Sequence, residues 1–92
     1  MQKQEILGYT LVMTCSACPE QYDVFDSDDK QVGYLRLRHG GFRADYPDCG
    51  GETVYRHSFS DGWKGIFDDE EREFFLTEAV KALQNYIETN KE

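Results

Sequence analysis

No stretch of this 92-residue chain approaches the roughly 20 apolar residues of a membrane helix, so a bilayer-spanning segment is not expected. Cysteine is odd in number, with three residues, which argues against a closed disulfide framework and for a reducing, cytoplasmic setting. Histidine is confined to His39 and His57. Neither sits in a triad pattern, a P-loop or a glycine fingerprint, so no catalytic residue is assigned and an enzyme is not expected. Cations are scarce: 10 Lys and Arg stand against 18 Asp and Glu, for a net charge of −8. A general nucleic-acid binder needs cations to displace phosphate counterions, so that class is disfavoured, as is an anionic membrane surface. The beginning, MQKQEILGYTLVMTC, carries one Lys and an apolar stretch broken by Gly8, and does not read as a signal peptide.

What is present suits one modest globular core. Hydrophobic residues make up 39% and aromatics 14%, enough for a single domain over residues 1–92 in which large rings supply much of the buried area. No repeat, linker or low-complexity tract divides the chain.

The hydrophobic pattern predicts strands within residues 6–59. Ile6 to Thr14 reads as one strand with Tyr9, Leu11 and Met13 on one face. Gln21 to Asp26 alternates, with Tyr22 and Val24 opposite Asp23 and Phe25. Val32 to Arg38 and Phe42 to Tyr46 form a hairpin, with Gly40-Gly41 read as its two-residue turn. That turn places His39 opposite Phe42, Arg38 opposite Arg43 and Arg36 opposite Asp45. Leu35, Leu37, Phe42, Ala44 and Tyr46 then share a core face. Thr53 to Phe59 is the last strand, with Tyr55, His57 and Phe59 on one side and Val54, Arg56 and Ser58 on the other.

A helix over about residues 68–88 is the clearest element. Asp68 and Glu71 fit a capping box, acids crowd the first turn, and Leu76, Ala79, Val80, Leu83 and Ile87 fall on one face. Phe74 lies nearly opposite that stripe. Trp63, in the loop between Ser60 and Phe67, is expected to fold back as a lid on the helix start. The fold class is α+β: an antiparallel meander of four to five strands with one C-terminal helix packed on one face.

Three constellations could carry function. Tyr34, Arg36, Arg38 and Arg43 share the solvent face of the hairpin, where guanidinium forks can hold carboxylates or phosphates and a phenol can stack. Pairing of these arginines with Asp45 or Asp23 is the competing explanation. The second is an acidic surface at the helix start, Asp68, Asp69, Glu70 and Glu71, which capping explains in part. The third is Cys15-x-x-Cys18, which with Cys49 and His57 or His39 could hold zinc, although no second knuckle follows. Asp26 and Asp28 open like a calcium loop, but Lys30 and Leu37 stand where ligands belong.

The strings CPEQYDV (residues 18–24), GYLRLRHGGF (33–42) and GIFDDEEREFF (65–75) resemble a group of short, uncharacterised bacterial and phage-encoded proteins, over about residues 18–87. The resemblance implies a small cytoplasmic protein and carries no activity, cofactor or catalytic residue. The expected function is non-enzymatic binding of another protein, as an accessory factor of a phage or mobile element, by a monomer or homodimer. The alternatives are a nucleic-acid or anion-binding module using the arginines, and a small zinc protein.

Overall fold

The computed structural model describes residues 3–16 and 19–90. They form six strands and one helix: β1 (Lys3–Ile6), β2 (Tyr9–Ser16), β3 (Glu20–Phe25), β4 (Gln31–Arg38), β5 (Gly41–Tyr46), β6 (Glu52–Ser58) and α1 (Asp69–Thr89). The strands make one open antiparallel sheet in the order β1-β2-β3-β4-β5-β6, and α1 packs against β4, β5 and β6 while also touching β1. The α+β class and the C-terminal helix stand as expected, but the strand count is six rather than four to five.

The extra strand comes from the first apolar run. Leu7 and Gly8 take φ of 54° and 86°, and Ile6 pairs with Tyr9, so the run is a tight hairpin rather than one strand. Positive φ at both central residues is the type I′ geometry that matches strand twist. A leucine in that position hides the turn from composition.

The same device corrects the register of the second hairpin. His39 (φ 51°) and Gly40 (φ 77°) form the turn, and Gly41 is the first residue of β5, paired with Arg38. Arg36 therefore faces Arg43 and Tyr34 faces Asp45. The shift from the expected pairing is two residues, so every side chain keeps its face. Gly40 is further anchored: its N–H donates to the Lys64 carbonyl at 2.8 Å, and its carbonyl accepts from Phe59 N–H at 2.7 Å.

Alternation sorts the core as expected. Leu11, Tyr22, Val24, Leu35, Leu37, Phe42 and Ala44 are buried with Leu76, Ala79, Val80 and Leu83 of α1. At Gly33 a Cβ would come within 2.5 Å of Leu83 Cδ1, so glycine lets the helix lie close over β4. At the helix start, Phe67 and Phe75 stack with centroids 5.7 Å apart, and Phe42 meets Phe67 edge-on at 4.9 Å. The Asp68 N–H donates to Glu71 Oε2 at 2.9 Å, the capping contact that the sequence suggests.

One polar group sits inside this core. Glu20 is 0% exposed and accepts from the Tyr22 hydroxyl, from Phe67 N–H at 2.9 Å and from Arg72 Nε at 2.8 Å. Burial, then the Glu20 carboxylate, push the Tyr22 phenol well above its ordinary value of 10.0. Tyr22 thus stays protonated in the folded chain where an unfolded chain would ionise. Its share of stability is complete below pH 10.0 and declines as pH rises beyond it. Urea titrations from neutral to strongly alkaline pH should show that decline, and Tyr22→Phe should make it shallower; an identical slope in the variant would refute the assignment.

Candidate functional site

The face of the sheet away from α1 carries the basic side chains. Arg36 on β4 faces Arg43 on β5, and Arg43 faces Arg56 on β6, so three arginines stand side by side across three strands. Arg38, two residues along β4, extends the group. A depression of about 220 Å³ opens among Arg36, Arg38, His39, Arg43, Arg56 and Ser58. The structure therefore brings together the three arginines singled out from sequence and adds Arg56. Alternation had put Arg56 on the face of its strand opposite Tyr55, His57 and Phe59; only its alignment with Arg43 makes it part of the row.

The expected internal pairing holds for one arginine. Arg43 Nε donates to Asp45 at 3.1 Å, and buried Asp45 also accepts from Thr53 Oγ1 at 2.8 Å and Gly50 N–H at 3.3 Å. Asp23 accepts from Gln31 instead. Among the described residues, Arg36, Arg38 and Arg56 have no carboxylate at ion-pairing distance. Like charges directly opposite on neighbouring strands oppose pairing, although Asp45 offsets the charge of Arg43. The row is therefore a local cost within a chain that has acids to spare.

Tyr34 does not join the site. It is 8% exposed, and its hydroxyl donates to Gln21 Oε1 at 2.6 Å. Burial raises its phenol above the ordinary range, with Cys49 adding to the effect and Arg36 opposing it. The β5–β6 turn that carries Cys49 thus sits against Tyr34 and removes it as a stacking surface. Trp63 behaves in the opposite way. It is 86% exposed and is not a lid on the helix start. Its backbone is held by an N–H bond to Asp61 Oδ1 at 2.9 Å, and its ring meets His39 edge-on with centroids 6.5 Å apart. Arg38, His39, Trp63 and Gly65 line a further shallow depression, so the indole adjoins the arginine group through Arg38 and His39. Arg38 Nε donates to His39 Nε2 at 3.1 Å.

The acidic helix start is largely engaged in local contacts. Lys64 Nζ lies 2.6 Å from Glu71 and 3.7 Å from Asp68, and Arg72 holds Asp69. Glu70 is exposed. Hydrogen bonding to Lys64 holds the Glu71 carboxyl below its usual range. These contacts are those of a capped helix end, not a convergent site.

The possible zinc ligands are spread out. His57 packs between Phe59 and Phe75, with centroids 4.7 Å from each, near the helix start. Cys49 lies in the turn before β6, beyond Glu52, which is itself about 16 Å along the strand from His57. Cys15 lies on β2, and Cys18 is outside the described residues. Among the described residues no group of three or more His, Cys, Asp and Glu converges on one point.

A larger depression of about 620 Å³ lies over β1 to β3, where Thr10, Val12, Thr14 and Phe25 stand among the oppositely charged Lys3, Asp23 and Asp29. No described helix is long and apolar enough to cross a membrane. Comparison with protein-family models, with curated proteins and with solved structures gives no match.

Proposed function

We propose that this chain is a small, non-enzymatic protein-binding module that holds an acidic segment of a partner on its arginine face. The observation that carries this reading is the Arg36–Arg43–Arg56 row, with Arg36, Arg38 and Arg56 lacking carboxylate partners among the described residues on a chain of net charge −8. Guanidinium groups bind carboxylates as planar forks, and several forks side by side match a segment bearing several carboxylates. Trp63, exposed beside Arg38 and His39, supplies the large apolar anchor that such interfaces use. A protein ligand fits better than nucleic acid. A long polyanion would run beyond the patch onto the acidic remainder of the surface, whereas a short acidic segment would not.

Binding of a fluorescent Glu-rich peptide, read by anisotropy at moderate salt, tests the reading. The double variant Arg36→Glu, Arg56→Glu should weaken binding at least about 30-fold, because two attractive pairs become repulsive. Among the described residues neither carries an ion pair and both stand in the like-charge row, so circular dichroism should be unchanged and the thermal midpoint should not fall. Undiminished binding would refute the arginine-face site. Tighter capture of single-stranded DNA of matched charge would favour the nucleic-acid alternative.

A further inference from the structure

We infer that the acidic segment binds as a seventh strand, added along the open edge of β6. The inference rests on the arginine-face reading and specifies how the ligand lies. The two outer strands of the sheet are unlike. β1 has four residues, and Lys3, Gln4 and Glu5 on it are exposed. Short, charged edges of this kind discourage further pairing. β6 has seven residues, with Thr53, Val54, Tyr55 and His57 half-buried. Among the described residues no strand pairs with its outer side, so its backbone donors and acceptors there are open to an extended chain.

The two sides of this edge call for different chemistry. On the face away from α1, an added strand would continue the row Arg36–Arg43–Arg56, placing its side chain beside Arg56 at cross-strand distance. An acidic residue satisfies that position. On the other face the added strand would lie along the seam between β6 and α1. That seam holds a depression of about 220 Å³ in which Val54, Ala82 and Tyr86 stand among the polar residues Glu52, Thr53, Asn85, Thr89 and Asn90. At the opposite end of the seam stands Phe74, 59% exposed and edge-on to Phe75, which in turn meets His57. Apolar side chains there would pack on Val54, Ala82, Tyr86 and Phe74. Side chains of a strand alternate between faces, so the ligand is an extended segment alternating acidic with apolar residues. A second copy of this chain is the poorer occupant, since its own β6 would bring a further Arg56 to the cationic row.

The experiment uses the full chain and a short peptide alternating Glu with Val, in three forms. One is unmodified, and two are N-methylated on alternate residues, one set covering each edge of the extended peptide. Methylation of the edge that pairs with β6 should weaken binding more than about tenfold, whereas methylation of the other edge should leave it nearly unchanged; tenfold is about 1.4 kcal/mol. Hydrogen exchange should slow at residues 53–58 when the unmodified peptide is bound. If both methylated peptides bind as well as the parent while Arg36→Glu, Arg56→Glu still abolishes binding, strand addition is overturned and the arginine-face reading stands. If no form binds, both fall. If sedimentation shows a dimer with protected β6 amides, the occupant is a second copy and the acidic segment is wrong.

Discussion

Replacing Arg72 by Met should destabilise this domain by about 3–5 kcal/mol, because it strands a buried charge. Glu20 is 0% exposed, and among the described residues its carboxylate has one cationic partner, Arg72, through Nε at 2.8 Å and Nη2 at 3.3 Å. The Phe67 N–H and the Tyr22 hydroxyl complete its hydrogen bonds but bring no full charge. The same guanidinium binds the Phe67 carbonyl at 2.8 Å and holds Asp69 in the first turn of α1. Its loss therefore leaves an uncompensated carboxylate at the junction of β3, the loop before the helix and the helix itself. A domain of this size has a total stability of roughly 5–15 kcal/mol, so the variant should be near its unfolding threshold. The thermal midpoint should fall by about 15 °C or more. The double variant Glu20→Gln, Arg72→Met should regain about half of the loss, since an amide in place of the carboxylate carries no charge to compensate. Denaturant melts of the two variants decide the matter. Equal stability of both would mean that the loss comes from packing of the Arg72 stem and not from the charge.

Gly40→Ala should be strongly damaging, with a loss of about 3 kcal/mol or more. Two effects combine. At φ 77° an L side chain is strained by roughly 1–2 kcal/mol. A Cβ there would also lie 2.4 Å from the Asp61 carbonyl oxygen and 3.0 Å from Gly62 Cα, both backbone atoms. Relief requires the 59–65 loop to move away, breaking the bonds from Gly40 N–H to Lys64 and from Phe59 N–H to Gly40. Gly8→Ala is the natural control. Its φ is 86°, but no atom lies within 4 Å of the added carbon, so strain alone should cost about 1 kcal/mol. A matching loss in the two variants would show that loop docking contributes nothing. Because Trp63 rides on the loop, Gly40→Ala should also shift its fluorescence and weaken capture of the acidic peptide.

Much of this architecture is legible in local patterns. Leu35, Leu37, Phe42 and Ala44 alternate, and Leu76, Ala79, Val80 and Leu83 recur at helical spacing, so both halves of the core declare themselves. Asp68 and Glu71 mark the helix start for the same reason: capping is decided within a few residues. The faces of the arginine hairpin survived an error in register because strand periodicity is two and the error was two. The missed hairpin at Leu7-Gly8 and the displaced turn at His39-Gly40 share one cause. Each places a non-glycine residue at positive φ, which composition alone does not mark.

What the chain's local order determined by itself is the helix, the central strands, the core faces of both and the presence of a basic surface on an acidic protein. Those properties follow from side-chain periodicity and composition, which act over a few residues. Tertiary structure alone decided the rest. It aligned Arg56 with Arg43 and Arg36, covered Tyr34 with a turn, left Trp63 in solvent beside His39, and closed the Glu20–Arg72 pair across 52 residues. Each of these depends on which distant segments become neighbours, and that is set by closing the sheet over the helix as a whole.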